Sequence, residues 1–282
     1  MIMKLGKNIL TAAVAGLPSF WFAGQALAEE DLAKQLANPI ASLISVPFQF
    51  NYDTKIGPAE KGDRLTVNVQ PVVPSPLSDE WNMISRTIVP IIYQNDIAGT
   101  APNFTGEQFG LGDTTQSLFF SPAQVGPSGI IWGAGPVFLL PTGTDKLLSA
   151  DKWGAGPTAV VLKQTPGAAS GDSLTVGALV NHIWSFAGSD RTSEISNTFM
   201  QPFVSYTTYN GYTFAVNTET SYNWTADEWT VPINMSVSKL TTIGSQPVSL
   251  QMGGRWWAVS PTAGPEDFGL RFSITFLFPS GG

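Results

Sequence analysis

Apolar and polar residues alternate with a period of two through most of the chain after residue 46. The clearest runs cover residues 65–71, 214–222, 229–238, 248–256 and 270–278. In each run, apolar side chains occupy one set of positions, and mainly Ser, Thr, Asn, Gln or Gly occupies the other. Because side chains alternate between the two faces of a β-strand, each run predicts a strand with one apolar and one polar face. Such strands build either a sheet sandwich or a barrel wall.

The composition of the polar faces indicates which way the apolar faces point. A water-soluble sandwich covers its outer faces with Lys, Arg, Asp and Glu, but only 12% of this chain is charged. Uncharged polar faces suit a barrel interior, with the apolar faces turned to lipid. Run lengths of about 9 to 11 residues equal the span of a tilted strand across a bilayer. Several Trp residues near predicted strand ends are typical of interfacial girdles: Trp81, Trp132, Trp153, Trp184, Trp224, Trp229 and Trp256.

We therefore predict an all-β fold, an antiparallel up-and-down transmembrane β-barrel of about 12 strands. The predicted strand centres are Phe50, Val69, Val89, Ser117, Val137, Val160, Val180, Phe203, Val216, Ile233, Met252 and Ile274. The repeated Trp-Gly-Ala-Gly-Pro stretches at 132–136 and 153–157 predict two successive strand starts. Four prolines fall inside predicted strands, where each removes a ladder donor and requires a bulge: Pro71, Pro90, Pro202 and Pro232.

The first 28 residues have the pattern of a secretory signal peptide. Lys4 and Lys7 precede a mostly apolar stretch at 9–22, and Ala26-Leu27-Ala28 provides the small residues that signal peptidase requires. We expect cleavage after residue 28 and export to the bacterial outer membrane.

Residues 29–45 form the one helix-like stretch of the expected mature chain. Leu32, Leu36 and Ile40 are spaced by four, and Pro39 is expected to bend or end the helix. Because these side chains need cover, the segment either enters the barrel as a plug or caps its periplasmic end. The predicted domains are thus the signal peptide at 1–28, this plug or cap at 29–45, and the barrel at 46–282.

Composition excludes several classes of function. Fourteen Lys and Arg residues against 21 Asp and Glu give a net charge of -7, which argues against nucleic-acid binding. With no Cys and one His, we predict neither a metal site nor a cofactor. The motif Gly171-Asp-Ser-Leu174 resembles that of the GDSL hydrolases, but His182 lacks the Asp spacing of their base. We interpret His182 as a girdle or packing residue, and predict that the protein is not an enzyme.

Charges on the polar faces are the candidate functional residues, because a charge in a barrel wall is costly at the lipid face. Glu219, Arg255 and Arg271 occupy polar positions in the last four predicted strands, and Arg86 and Lys239 are secondary candidates. Two uses remain open for these five lumen or constriction candidates. They either orient solutes at a constriction or pair with one another to fill the barrel.

Several motifs resemble one family of proteobacterial envelope proteins. They are Leu36-Ala-Asn-Pro-Ile-Ala-Ser-Leu-Ile-Ser45, Trp81-Asn-Met-Ile-Ser-Arg-Thr-Ile-Val-Pro90, Gly110-Leu-Gly-Asp113, Ser117-Leu-Phe-Phe-Ser-Pro122, Trp132-Gly-Ala-Gly-Pro136, Asn181-His-Ile-Trp-Ser-Phe186, Gln201-Pro-Phe203, Trp229-Thr-Val-Pro-Ile233 and Phe276-Leu-Phe-Pro279. The sequence is similar to outer-membrane transporter proteins labelled "neuromedin U" or meta-pathway phenol-degradation proteins. The resemblance implies an outer-membrane β-barrel with a transport role, and it brings no catalytic residue, cofactor or substrate.

Two functions follow from this interpretation. The first is an outer-membrane channel for passive passage of small solutes, with apolar or aromatic solutes favoured by the charge-poor, aromatic-rich chain. The second is a closed structural or sensing barrel without transport, because a barrel of this size can be filled by side chains. The expected partners are outer-membrane lipid and small-molecule solutes, and the chain can act as a monomer or a homo-oligomer.

Overall fold

The structure, a computed structural model, describes residues 31–279 apart from the side chain of Phe104. The predicted signal peptide lies outside the described residues. In chain order the strands are β1 (Ile44–Ile56), β2 (Gly62–Val69), β3 (Val72–Pro76), β4 (Trp81–Asn95), β5 (Gly99–Thr100), β6 (Asn103–Phe104), β7 (Glu107–Leu111), β8 (Thr114–Pro122), β9 (Ile130–Leu140), β10 (Lys152–Pro166), β11 (Ser173–Gly188), β12 (Ser196–Thr207), β13 (Tyr212–Thr218), β14 (Thr220–Asn223), β15 (Glu228–Ile243), β16 (Gln246–Val259) and β17 (Phe268–Phe278).

The strands close into a barrel of twelve antiparallel positions. Each consecutive position pairs with the next, and β17 pairs with β1 from Ile44–Phe278 to Tyr52–Leu270, which closes the cylinder. Three positions hold two shorter strands each, namely β2 with β3, β7 with β8, and β13 with β14, while β5 and β6 form a separate hairpin. The predicted fold is confirmed, and all twelve predicted strand centres fall inside strands.

The outer face of the barrel is apolar, as the alternation predicts. On β17, Leu270 is 67% exposed, whereas the next residue, Arg271, is only 5% exposed. On β15, Met235 is 61% exposed beside Asn234 at 2%. Exposed aliphatic side chains beside buried charged and amide side chains are the inverse of a water-soluble sandwich, and they are the arrangement of a transmembrane barrel.

Aromatic rings gather on the outer face near both ends of the barrel. Trp81 and Trp132 meet edge to face, with ring centroids 6.0 Å apart, at the end where the described chain begins and finishes, here called the terminal end. At the opposite end, the Tyr222 ring lies 4.7 Å from those of both Trp224 and Trp229. The rings form two levels, as membrane-interface girdles do. Among the described residues, no helix has the length and hydrophobicity to span a membrane.

The four prolines in predicted strands lie at interruptions of the hydrogen-bond ladder. Pro71 separates β2 from β3, and Pro90 lies where β4 changes partner from β8 to β7. Pro202 lies where β12 changes partner from β14 to β13, and Pro232 adjoins a register shift between β15 and β16. Each proline, which has no backbone N–H, therefore lies where the regular ladder of hydrogen bonds is interrupted.

The two Trp-Gly-Ala-Gly-Pro stretches lie on adjacent strands, β9 and β10, where Pro136 and Pro157 are direct cross-strand partners. At Gly156, a Cβ atom would lie 1.7 Å from the carbonyl oxygen of His182 on β11. At Gly135, a Cβ atom would lie 2.0 Å from the carbonyl oxygen of Leu118 on β8. The glycines therefore allow close approach of neighbouring backbones in the wall.

Residues 31–43 lie against inward-facing side chains at the terminal end. Residues 31–36 form an α-helix, α1, and the chain then turns through Pro39 before β1 begins at Ile44. Ile40 belongs to an apolar cluster with residues from four wall strands: Ile84, Phe119, Val160, Leu162 and Leu179. Ala33 and Leu43 pack with Leu240 of β15 and Leu277 of β17. We name residues 31–43 the N-terminal segment, which contacts several sides of the interior.

Candidate functional site: a charged network and a cavity in the lumen

The central residue of the site is Glu219, the single residue between β13 and β14. On one side, the ladder to β15 is interrupted where Pro232 lies opposite Glu219. On the other side, the ladder to β12 is interrupted at Pro202. The two prolines thus frame a short irregular stretch of wall, from which the Glu219 side chain projects into the lumen.

Glu219 is held by two arginines from neighbouring strands. Arg271 of β17 binds it in a bidentate manner, with Nη1 donating to Oε1 and Nη2 to Oε2, both at 2.8 Å. Arg255 Nη2 of β16 also donates to Oε2, at 2.6 Å. The side chain of Arg271 is only 4% exposed and that of Glu219 19%. Charge-assisted forks of this kind fix both partners, and they are the strongest hydrogen bonds that side chains make.

The network extends to Asp53 of β1, which the sequence analysis did not select. Arg255 Nη1 donates to Asp53 Oδ2 at 3.1 Å, and Arg255 Nε donates to Asn234 Oδ1 at the same distance. The indole Nε1 of Trp257 donates to the other Asp53 oxygen at 2.9 Å. Phe50 and Tyr52 occupy one face of β1, so Asp53 occupies the opposite, polar face, as the candidate lumen charges do on their strands. The period-two rule could therefore have found it.

Arg86 joins the same network through amide side chains. Its Nη2 donates to Gln70 Oε1 at 3.0 Å, and Gln70 Nε2 donates to Gln49 Oε1 at 3.3 Å. Gln49 also accepts from Asn51 Nδ2 at 3.3 Å, and Asn51 Oδ1 accepts from Arg271 Nε at 2.7 Å. One chain of hydrogen bonds therefore runs along the lumen from Arg86 to the ion-paired residues.

Lys239 lies apart from this network, contrary to its selection as a lumen candidate. It pairs across strands with Tyr212 and Leu250, both of which belong to the exposed apolar face. Its ammonium group lies 4.5 Å from the centroid of the Tyr212 ring and donates to the Asn210 carbonyl oxygen. A lysine near a strand end extends its ammonium group to the polar edge of the membrane, so it needs no place in the lumen.

Arg64 of β2 is a further lumen charge that the sequence analysis did not select. It is the cross-strand partner of Asp53, and its Nε donates to Gln94 Oε1 at 2.8 Å. Among the described residues, Arg64 and the lumen network together contain four guanidinium groups and two carboxylates. The guanidinium groups belong to Arg64, Arg86, Arg255 and Arg271, and the carboxylates to Asp53 and Glu219. The interior is thus locally positive, although the whole chain is acidic.

A cavity of about 290 Å³ lies between this network and the N-terminal segment. Arg86 and the amides of Gln49, Gln70, Gln201, Asn217 and Gln251 contribute to one part of its lining. The apolar part includes Leu43, Val72, Leu179, Phe203 and Leu240. The cavity therefore offers a cationic group and amides together with an apolar surface, which is the lining expected of a site for a small amphipathic molecule.

His182 has the structural surroundings that the sequence suggests. Its Nδ1 lies 2.7 Å from Thr198 Oγ1, and its ring lies 4.0 Å from that of Trp184, which is exposed on the outer face. Within residues 31–279, no group of three or more His, Cys, Asp or Glu is placed to hold a metal ion. That the protein is not an enzyme stays a prediction.

The Gly171-Asp-Ser-Leu174 motif lies at the turn between β10 and β11. Asp172 accepts a hydrogen bond from the Tyr206 hydroxyl and one of 2.9 Å from the backbone N–H of Tyr209. The Tyr206 hydrogen bond lowers the pKa of Asp172. The acidic residue of the motif therefore joins two turns at the terminal end, which is a structural role.

Comparison with known proteins supports the fold. A crystal structure of an outer membrane channel from Pseudomonas putida F1 aligns with a TM-score of 0.64 at 13% identity, covering 84% of this chain and 96% of that one. The β domain of the Bordetella autotransporter BrkA aligns at 0.46 with 8% identity, and Salmonella typhi OmpF in complex with daunomycin at 0.33 with 9% identity. These two cover 84% of this chain and 100% and 96% of their own chains, respectively. No protein-family model matches the sequence, and no curated protein matches it. The first likeness shows that the chain shares the outer-membrane β-barrel fold of that protein.

Proposed function

We propose that the protein is a channel of the bacterial outer membrane through which small solutes pass passively. The observation that carries the proposal is a closed barrel with an apolar outer face and a polar, arginine-containing lumen that holds a cavity. The Pseudomonas putida protein that shares this fold is described as an outer membrane channel, which supports the same role here.

Location and family are parts of this proposal. The aromatic rings at two levels of the outer face suit a membrane with two polar interfaces. The signal-peptide pattern at residues 1–28 provides the export that an outer-membrane location requires. Membership of the "neuromedin U" or meta-pathway transporter family would fit both, and rests on the motif resemblance. The oligomeric state stays open.

The solutes that we propose are small and have an apolar or aromatic part. The cavity lining supports this choice, because Val72, Leu179 and Phe203 contribute apolar surface to it beside the polar groups. A cavity of about 290 Å³ is at the lower limit of ligand pockets and suits a molecule of one ring rather than a sugar chain.

A closed barrel is the second candidate, and the N-terminal segment is the observation that favours it. Ile40 is 5% exposed and packs against the interior of four strands, and Leu43 packs against two more. The segment therefore occupies part of the cross-section at the terminal end. If the segment stays in place under all conditions, the barrel is a structural or sensing element, whereas a segment that leaves the lumen acts as a plug.

Conductance across a planar lipid bilayer tests the two candidates. We expect discrete current steps from the refolded mature protein, and larger steps from a truncated variant lacking residues 31–43. Arg255→Gln should change the ion selectivity of those steps, because it removes a lumen charge. The matched control is Lys239→Gln, which removes a charge from the outer face and should leave selectivity unchanged.

A correctly inserted truncated variant that carries no current would refute the channel proposal in favour of the closed barrel. Insertion is verified independently by the resistance of the folded barrel to protease and by its far-ultraviolet circular dichroism. Current steps that are larger in the truncated variant than in the mature protein would identify the N-terminal segment as the plug.

A further inference from the structure

We propose that the lumen cavity binds small organic carboxylates, and that Arg86 is the residue that pairs with the carboxylate group. The proposal deepens the proposed channel function by naming the chemical class of solute, and to that extent it rests on it. Benzoate, a single ring bearing one carboxylate, represents the class. Three features of the lumen lead to this conclusion: the unused donors of Arg86, the local excess of positive charge, and the mixed polar and apolar lining of the cavity.

Arg86 differs from the other central arginines in how its donors are used. Arg271 and Arg255 each donate from Nε and from both Nη atoms to protein oxygens. Arg86 has one side-chain hydrogen bond within residues 31–279, from Nη2 to Gln70. A guanidinium group carries five N–H donors in a planar fork that matches a carboxylate. Arg86 thus keeps Nε and Nη1 without a protein acceptor among the described residues, whereas Arg271 has used both Nη atoms on Glu219.

No carboxylate of the described residues lies within ion-pair distance of Arg86. The ion pairs of the lumen network use Glu219 and Asp53, and both are bound to Arg255 or Arg271. Burying a guanidinium group without a paired anion is costly, so an anion from outside the chain would be bound favourably. Arg86 lies in the lining of the cavity, where such an anion has space.

Arg86 is also held in position before any ligand arrives. Gln70 accepts from Arg86, and its own amide donates to Gln49, so the orientation of the Gln70 amide is set by two partners. Gln70 is 8% exposed. A guanidinium group already oriented by a hydrogen bond loses less conformational entropy on binding than a free surface arginine.

The remaining lining explains why the anion should be organic. The hydroxyl oxygen of Ser205 is buried and has no hydrogen-bond partner, so it can donate to a ligand oxygen. Leu179 and Phe203 line the same cavity and would cover an apolar ring. An inorganic anion would leave this apolar surface unused, whereas the ring of benzoate would contact it.

Isothermal titration calorimetry of the purified, folded barrel in detergent tests the proposal without any transport measurement. The probes are benzoate and benzamide, which have nearly the same shape and differ in charge. We expect benzoate to bind at least about tenfold more tightly than benzamide, because a hydrogen bond to a charged group contributes that much or more. Arg86→Gln should weaken benzoate binding at least about tenfold and leave benzamide unchanged. Lys239→Gln, the matched loss of one outer-face charge, should bind benzoate like the unmodified protein.

Equal binding of the two probes, no benzoate binding by the unmodified protein, or undiminished benzoate binding by Arg86→Gln would each overturn the proposal. If Arg86→Gln does not fold, as judged by circular dichroism, two other variants replace it. Arg86→Lys keeps the charge but loses the fork, and Ser205→Ala removes the unpartnered hydroxyl. Each should weaken benzoate binding several-fold, and wild-type affinity in both would refute the site.

The results of the two experiments are separable. Current steps without benzoate binding would leave the channel function in place and remove the carboxylate site. Benzoate binding by a barrel that stays closed after truncation would establish the site and contradict the channel.

Discussion

Replacing Glu219 by Gln tests whether the lumen network stabilises the barrel. The substitution keeps the size of the side chain but removes its charge, and it leaves Arg271 and Arg255 facing each other without their shared carboxylate. Arg255 retains Asp53 as an ion-pair partner, whereas Arg271 retains only the amide oxygen of Asn51. We therefore expect most of the cost to come from the uncompensated charge of Arg271.

The expected size of the effect follows from the burial of the three charges. Removing one partner of a buried ion pair costs about 3 to 5 kcal/mol. Glu219 keeps 19% of its side chain accessible in the lumen, so the free energy of unfolding should fall by about 3 kcal/mol, the lower end of that range. Adding Arg271→Gln to the same chain should recover part of this loss, because the second change removes the unpaired charge.

Urea unfolding in lipid vesicles, followed by tryptophan fluorescence, measures these differences. Asp267→Asn is the matched control, since it also neutralises one carboxylate of an ion pair, with Lys55, but at side-chain exposures of 61% and 46%. An exposed pair contributes under about 1 kcal/mol. Asn also tolerates the positive φ of position 267. If Glu219→Gln destabilises the barrel no more than Asp267→Asn, or if Arg271→Gln worsens it further, the argument from burial is wrong.

Three further predictions concern the N-terminal segment, the wall and a loop. Ile40→Asp should bring single-channel conductance to the level of the truncated variant, because a carboxylate cannot remain in the apolar cluster around residue 40. Gly156→Ala should lower the free energy of unfolding by about 1 to 3 kcal/mol in urea, since its Cβ would overlap a carbonyl oxygen of β11. Gly254→Ala, which meets open space, should change it by less than about 0.5 kcal/mol. A hydrogen bond from Lys152 lowers the pKa of Glu194, so this pair stabilises the fold at neutral pH and ceases to do so as the pH falls through that pKa. Carboxyl NMR titration should show the pKa rising in Lys152→Gln, and an unchanged pKa would contradict this assignment.

The fold could be predicted from sequence because its main signal is local. A period-two alternation needs only neighbouring residues, and the shortage of charge on the polar faces indicates which face meets lipid. The same rule explains the placement of Lys239. In strict alternation from Val237, which is exposed, Ser238 points inward and Lys239 outward, as observed. The prediction failed there because the strand phase was not followed to its end.

The connections within the site could not be predicted, because they depend on barrel closure. Glu219 and Arg271 are 52 residues apart, and Asp53 meets Arg255 across 202 residues through the pairing of β1 with β17. Alternation assigns a face to each charge, but it does not assign a height in the lumen or a partner. The cavity is less predictable still, since it depends on where the N-terminal segment packs.

Two of the four prolines within the predicted strands flank Glu219, the central residue of the site. Pro202 and Pro232 cannot donate to a ladder, and between them the wall leaves Glu219 outside any strand. Local stability lost with those ladder bonds is offset by three charge-assisted hydrogen bonds from Arg255 and Arg271 to Glu219. Those bonds occupy the donors of Arg255 and Arg271, and leave Arg86 as the lumen cation of this network without a carboxylate partner among the described residues. Departures from regular strand sequence therefore have a consistent physical consequence here: they fix the charges of the lumen and so decide which arginine is free to bind a ligand.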